Sequence, residues 1–144
     1  MIREIEPHEL DSLLRLYMQL HGNPFPEKTD ELRALWHRIL KDPDHHIVVA
    51  VEEDRIVSSC VCVIIPNLTH GQQPYALIEN VITDEAFRGK GLATACLDYA
   101  REIARSANCY KMMLLTGSRE ESTHRFYQRA GYNANDKTAY IQWL

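Results

Sequence analysis

Two glycines flanked by cations, in the run Arg88-Gly89-Lys90-Gly91, stand directly before a stretch with helical periodicity. Glycine has no Cβ, so neighbouring backbone N–H groups can converge on one anion without a steric clash. The start of a helix favours negative charge, because its first N–H groups are unpaired and its peptide dipoles are aligned. The sequence therefore predicts a phosphate-binding loop, with a solvated glycine-rich turn as the alternative.

This run differs from the two most familiar phosphate loops. It lacks the Gly-Lys-Ser/Thr ending of a nucleotide P-loop, and it lacks the Gly-x-Gly-x-x-Gly spacing of a dinucleotide site. A mononucleotide or dinucleotide site of either type is therefore disfavoured.

Composition excludes several other classes of function. The 144 residues carry 16 Lys and Arg against 20 Asp and Glu, and the net charge of −4 leaves no basic excess for nucleic acid. The four cysteines and seven histidines show no metal-ligand or Cys-x-x-Cys spacing, so we expect reduced core cysteines and no metal. The charged N-terminal stretch and the absence of an apolar run of about 18 residues predict no signal peptide and no membrane span, hence a cytoplasmic protein.

Hydrophobic periodicity predicts a single α/β domain over residues 1–144, with helices on the faces of one mixed sheet. Turn residues such as His21-Gly22-Asn23-Pro24 and Asp42-Pro43-Asp44 separate the predicted elements. The predicted order is β-α-α-β-β-β-α-β-α-β. The predicted strands cover 1–5, 46–51, 56–65, 75–83, 111–116 and 138–144, with 46–51 and 56–65 forming a hairpin. The predicted helices cover 10–20, 29–41 and 120–130, the last closed by Gly131. A further helix follows the phosphate loop, with Leu92, Cys96, Tyr99, Ala100, Ile103 and Ala107 inward.

The phosphate loop, read with its surroundings, resembles the GNAT family of N-acetyltransferases. Residues 88–93 fit the family hallmark, Gln/Arg-x-x-Gly-x-Gly/Ala after the fourth strand, while 78–83 and 126–132 are similar to its preceding strand and its tyrosine-bearing helix. The resemblance implies the acyl-CoA N-acyltransferase fold, acetyl-CoA as co-substrate, and direct attack by an amine in a ternary complex. It implies pantetheine contacts from Val81, Ile82 and Thr83, and pyrophosphate contacts from Arg88, Gly89, Lys90, Gly91, Leu92, Ala93 and Thr94.

Acyl transfer to an amine requires a free lone pair, a polarised carbonyl and a protonated leaving thiolate. We expect Glu79 to be the general base, on the same face of the strand as Val81 because the two are two residues apart. The alternative is a strand carboxylate paired with a basic neighbour. The resemblance assigns polarisation of the carbonyl to the backbone N–H of Val81 and protonation of the sulfur to Tyr127, for which core packing is the alternative.

Three further positions each have two alternative roles. Many family members have asparagine where this chain has Glu120, which puts that pantetheine contact in doubt, and Ser122 is expected only as part of the helix cap. Arg129 is a candidate for the 3′-phosphate, or else a solvated helix charge. His124 is a candidate second base, or else a surface histidine.

The amine acceptor is not encoded in any motif. Residues 108–111 with 126–127 are similar to glucosamine-6-phosphate acetyltransferases, and Thr116 with 124–127 is similar to aminoalkylphosphonate acetyltransferases. A small amine bearing a phosphate or phosphonate is therefore preferred, with a peptide acceptor or a non-catalytic acyl-CoA sensor as alternatives. Pairing of the strand over 138–144 across a homodimer would hide its edge. The acceptor region is expected around the first two helices and residues 22–27 and 66–73, with candidate cations His21, Lys28, Arg33, His37, His70 and Arg119.

Overall fold

The computed structural model describes residues 1–144 and contains one five-stranded mixed sheet. The strands lie side by side in chain order. The three pairs formed by the first four strands are antiparallel, and the fifth strand is parallel to the fourth. The strands are β1 (Ile2–Glu4), β2 (His45–Glu52), β3 (Arg55–Ile65), β4 (Tyr75–Thr83) and β5 (Met112–Leu114), and the helices are α1 (Leu10–Tyr17), α2 (Asp30–Lys41), α3 (Leu92–Ser106) and α4 (Glu121–Arg129).

Two buried clusters cover the two faces of the sheet, which confirms the predicted α/β class. On one face α3 packs on the central strands through Cys96 and Ala100, and on the other α1 and α2 pack through Leu16 and Trp36. Alternate residues of β2 go to opposite clusters, Val48 toward α3 and Val49 toward α1, as period-two side-chain geometry requires.

Local signals account for most helix boundaries. The Thr29 hydroxyl accepts a hydrogen bond from the Leu32 N–H at 3.1 Å and caps α2, and Gly131, at φ +100°, follows α4. Helix α1 ends at Tyr17, three residues earlier than predicted, because residues 18–22 form turns instead. In α3 the inward position predicted for Tyr99 is wrong, because its side chain is exposed; Leu97 and Ala104 are buried residues of this helix that the prediction did not include.

The predicted final strand, Thr138–Leu144, is wrong. Residues 133–144 form no helix or strand, and the side chains of Tyr140 and Trp143 are 92% and 86% exposed. A β-type sequence becomes a strand only where another strand completes its backbone hydrogen bonds, and no strand in the sheet pairs with this segment. Strand β5 is also shorter than predicted, with three residues instead of six. No helix is both long and apolar enough to cross a bilayer.

Candidate active site

Strand β4 contains a bulge at Asn80, whose φ of +52° is left-handed. The register with β3 shifts here, so that Asn80 and Val81 together lie opposite Cys60. Before the bulge, Glu79 pairs with Val61, a residue of the α1-side cluster; after it, Val81 packs against the α3-side cluster. The prediction that Glu79 and Val81 share a face is therefore wrong, because the extra residue reverses the alternation.

Beyond the bulge, β4 has an open edge. Strands β4 and β5 pair only between Ala76–Ile78 and Met112–Leu114, so the side of β4 facing β5 is unpaired further on. The Asp84 N–H points the other way and donates to β3 at 2.8 Å. Backbone groups of successive residues point in alternate directions along a strand. Thr83 and Val81, one and three residues before Asp84, therefore direct their N–H and C=O groups into the opening. An extended chain with its own amides would fit there as an additional strand.

The loop after β4 ends at unpaired backbone donors. Gly89 and Gly91 both have φ +76°, a backbone conformation that residues with a Cβ rarely adopt. The Gly91 carbonyl accepts the first helical hydrogen bond of α3, from the Ala95 N–H at 3.0 Å, and no side chain caps the helix. The N–H groups of residues 92–94 therefore have no partner within the helix, as expected of an anion-binding helix start.

The charges around this helix start are positive. The first turn of α3 contains no acidic residue, and Arg88 and Lys90 precede it, both exposed. The Arg88 Nε donates to the Thr83 carbonyl at 3.3 Å, and the Lys90 ammonium lies 4.5 Å from the centroid of the Phe87 ring. The loop is therefore tied to the end of β4 while its amides and cations face solvent.

Tyr127 lies on α4, where it packs on the α3-side cluster. Its ring centroid is 5.0 Å from that of Phe126 and 6.2 Å from that of Tyr132. Burial raises the pKa of Tyr127, and the nearby Cys60 thiol raises it further. The phenol thus keeps its proton at neutral pH, on the side of the sheet where Cys60 lies opposite the bulge.

Glu79 is exposed on the other side of the bulge. It forms neither an ion pair nor a hydrogen bond, so the alternative of a strand carboxylate paired with a basic neighbour is wrong. The edge of β4 at Val81 thus has a free carboxylate toward α1 and a protonated phenol toward α3. The first can accept a proton and the second can donate one.

The structure also locates the residues for which the sequence left two roles open. Arg129 is exposed, in keeping with a solvated charge, and His124 is half-buried without a hydrogen-bond partner. Glu120 precedes α4, but its side chain caps nothing. The capping expected of Ser122 is wrong: Ser118 instead accepts from the Glu120 N–H at 3.2 Å and donates to Thr123.

Several predicted acceptor-binding cations are already paired or remote. Lys28 pairs with Asp11 and Arg33 pairs with Asp30, which neutralises two of them. His70 stacks on Tyr110, with ring centroids 4.0 Å apart, near the start of β4 and away from the bulge. Arg119, between β5 and α4, has no carboxylate partner.

Sequence reasoning missed Asp84, which organises the approach to the phosphate loop. Its carboxylate is nearly buried and accepts from the Ala86 N–H at 2.9 Å and from Arg55 at 3.3 Å. An aspartate between a strand and a short turn is a common cap signal, which would have suggested this local role. The contact with Arg55, 29 residues away, has no local signal.

Comparison with known proteins agrees with this geometry. The chain matches the acetyltransferase (GNAT) family over residues 10–132. It is 36% identical over 83 residues to a glucosamine 6-phosphate N-acetyltransferase from Trypanosoma brucei brucei. That match covers 58% of this chain and 54% of the relative, so the chain spans about half the length of this curated relative.

Solved structures share the whole architecture. A provisionally named acetyltransferase from Agrobacterium tumefaciens is 38% identical, with a TM-score of 0.91 and 99% of both chains covered. An acetyltransferase from Trypanosoma brucei is 28% identical, with a TM-score of 0.84 and the same 99% coverage of each chain. The order and packing of the elements are therefore those of known acetyltransferase structures.

Proposed function

The chain belongs to the acetyltransferase (GNAT) family, and we propose that it transfers the acetyl group of acetyl-CoA to a primary amine on a small molecule. The observation that carries the proposal is the continuity between the open edge of β4 at Val81–Thr83 and the uncapped start of α3. The first suits an extended amide-bearing chain and the second suits a diphosphate. Acetyl-CoA, the co-substrate of the family, carries both groups in one molecule.

The donor binds along this path. Its pyrophosphate accepts hydrogen bonds from the amides of Gly89, Lys90, Gly91, Leu92, Ala93 and Thr94, with Arg88 and Lys90 adding positive charge. Its pantetheine pairs with the backbone of Val81 and Thr83, while Ile82 anchors that stretch in the α1-side cluster. The thioester then reaches the bulge, beside Glu79 and Tyr127.

The transfer needs no covalent enzyme intermediate. Glu79 takes a proton from the acceptor ammonium, directly or through one water, and the freed nitrogen attacks the thioester carbon. The Val81 N–H stabilises the negative charge that develops on the carbonyl oxygen. When the C–S bond breaks, the Tyr127 hydroxyl gives its proton to the sulfur, which leaves as the thiol of CoA. The extra proton on the new amide nitrogen then passes to the Tyr127 phenolate, directly or through water, and the proton on Glu79 is released to solvent.

We propose an acceptor that carries a phosphate or phosphonate beside its amine. Support comes from the named substrate of the Trypanosoma relative, glucosamine 6-phosphate, and from Arg119, an exposed guanidinium without a carboxylate partner. A peptide amine is the second candidate acceptor. A non-catalytic acyl-CoA sensor is less well supported, because a sensor needs neither the unpaired Glu79 nor a protonated Tyr127.

A panel of amines tests the proposed function. Acetyl-CoA is mixed with the protein and with aminophosphonates, amino-sugar phosphates, polyamines, amino acids or short peptides, and acetylated product is followed by mass spectrometry. The proposal expects product with an amine bearing phosphate or phosphonate. Product from peptides alone would overturn the acceptor class, and bound acetyl-CoA with no product from any amine would favour the sensor.

We propose further that a second copy of the chain covers residues 138–144. Four large apolar side chains of this segment are exposed, Tyr140, Ile141, Trp143 and Leu144, which is costly for a monomer in water. Sedimentation at low micromolar concentration should show a dimer that Trp143→Ser weakens. A wild-type protein that sediments only as a monomer would contradict the dimer.

A cytoplasmic location belongs to the same proposal. All four cysteines are unpaired, and reduced thiols are typical of the cytosol. Recovery of the native protein from the cytosolic fraction of its source cells would support this location, and recovery from a secreted fraction would contradict it.

A further inference from the structure

The end of α1 contacts β4 and the turn that follows it. Tyr17, the last residue of α1, packs with Ile82 of β4 in the α1-side cluster, and Gln19, in the following turn, bonds to Asp84 just after β4. These contacts lie at the stretch that faces the proposed pantetheine and just beyond it. The same end of α1 begins residues 18–29, the connection to α2 on the predicted acceptor side.

At the bulge, the contact is hydrophobic. The Tyr17 ring packs in the α1-side cluster with Val61 and Ile82, which flank the bulge on β3 and β4. The end of α1 is therefore packed against the sheet where Asn80 has its left-handed backbone.

At the other end, Gln19 makes a two-point contact. Its Nε2 donates to Asp84 Oδ2 at 3.2 Å, and its Oε1 accepts from the Glu85 N–H at 2.9 Å. Asp84 and Glu85 begin the turn that leads into the phosphate loop, with the Asp84 carboxylate accepting from the Ala86 N–H. The amide of Gln19 thus links the turn after α1 to the turn before the cofactor loop.

We propose that Gln19 is a positioning residue that holds the turn at residues 84–85 and transmits cofactor occupancy to residues 18–29. The inference rests on the cofactor site proposed above. Bound CoA restrains 81–83 and 88–94 directly, which also restrains the turn at Asp84. Because Gln19 is bonded to that turn at two atoms, the connection on the acceptor side loses mobility when the donor binds. Donor binding therefore prepares the acceptor side.

Gln19 is a suitable position for testing this coupling. Its side chain is exposed, and Asp84 keeps Arg55 and the Ala86 N–H as partners when Gln19 is replaced. Gln19→Ala therefore leaves no buried charge unpaired, and we expect it to fold. Asn23→Ala is the matched control: the Asn23 side chain bonds only to the Leu20 carbonyl, within the same connection, and forms no hydrogen bond to the turn at Asp84.

The test is amide hydrogen exchange with and without saturating CoA. In the wild type and in Asn23→Ala, CoA should slow exchange in 88–94 and also in 18–29, the latter about fivefold, the effect of one net hydrogen bond. In Gln19→Ala, CoA should still protect 88–94, while protection of 18–29 falls below about twofold.

The outcomes separate the coupling from the cofactor site. Protection of 88–94 with none of 18–29 in the wild type would overturn the coupling and leave the cofactor site standing. Equal protection of 18–29 in Gln19→Ala and wild type would overturn the role of Gln19. Absence of CoA protection at 88–94 in the wild type would overturn the cofactor site and the coupling together.

Discussion

Glu79 and Val81, two residues apart on β4, lie on opposite faces of the sheet because the bulge at Asn80 inserts one residue between them. The carboxylate therefore faces the α1 side, where the acceptor is expected. The Val81 backbone stays at the open edge, where the donor is proposed to lie. Because of the bulge, β4 directs a side chain toward the acceptor and backbone groups toward the donor.

Glu79→Gln should lower kcat/KM by at least about tenfold near neutral pH, since general-base assistance contributes factors of that size or larger. The deficit should shrink as pH rises toward the pKa of the acceptor amine, because free amine then needs no base. Initial rates of thiol release between pH 7 and 10 measure this. Glu53→Gln, in the β2–β3 turn, is the control and should match the wild type. A deficit that stays constant over this range would contradict the role of base.

Tyr127→Phe should reduce kcat by about tenfold while the Kd for CoA stays within about twofold, because only the proton donor to the sulfur is lost. Stopped-flow thiol release and calorimetric titration with CoA give the two quantities. Tyr132→Phe is a matched control, because burial also raises the pKa of that phenol and its ring contacts Tyr127. Equal losses of kcat in the two variants would indicate that the hydroxyl of Tyr127 serves packing alone.

Gly91→Ala should weaken CoA binding by about tenfold, since a Cβ at φ +76° costs roughly 1–2 kcal/mol and the loop would shift to relieve it. Gly117→Ala is the control, because Gly117 does not require a left-handed backbone and its added Cβ meets nothing within 4 Å. Calorimetry with CoA on both variants makes the comparison. Unchanged affinity in Gly91→Ala would remove the phosphate loop from the cofactor site.

Alkaline pH should destabilise the fold partly through Tyr17. Burial raises its pKa from 10.0 to about 12, so the folded protein holds the proton after the unfolded chain has released it. This contribution to stability is fully present below pH 10 and is lost as pH rises toward 12, at up to about 1.4 kcal/mol per pH unit. In Tyr17→Phe the free energy of unfolding should therefore fall less steeply over that window.

Urea unfolding at a series of pH values measures this slope. Tyr140→Phe is the control, because the Tyr140 side chain is 92% exposed and its ionisation does not distinguish folded from unfolded chain. If Tyr17→Phe and Tyr140→Phe both show the same pH dependence of the unfolding free energy as the wild type, the Tyr17 phenol is not buried in solution.

Elements with a local signal were predictable from the sequence. Strand β4 has the predicted bounds, α2 begins within one residue of its predicted start and ends where predicted, and Gly89 and Gly91 have the left-handed backbone that the phosphate loop requires. Each of these depends on residues adjacent in the chain, so periodicity and residue type suffice.

Features that depend on distant contacts were not predictable. The bulge at Asn80 arises from the register with β3, and the bonds from Gln19 to Asp84 and Glu85 cross more than 60 residues. The segment 138–144 has a strand-like composition, but whether it forms a strand depends on a partner edge. For the same reason, the sequence identified Glu79 and Val81 as a pair and assigned them the wrong relative orientation.

A crystal structure of the protein with CoA bound would show the donor site itself. We expect pyrophosphate oxygens about 3 Å from the amide nitrogens of residues 91–94, and pantetheine amides hydrogen-bonded to the backbone of Val81 and Thr83. The CoA sulfur should lie at the bulge, within hydrogen-bonding reach of the Tyr127 hydroxyl. CoA bound elsewhere, or a sulfur remote from both Val81 and Tyr127, would contradict the proposed site.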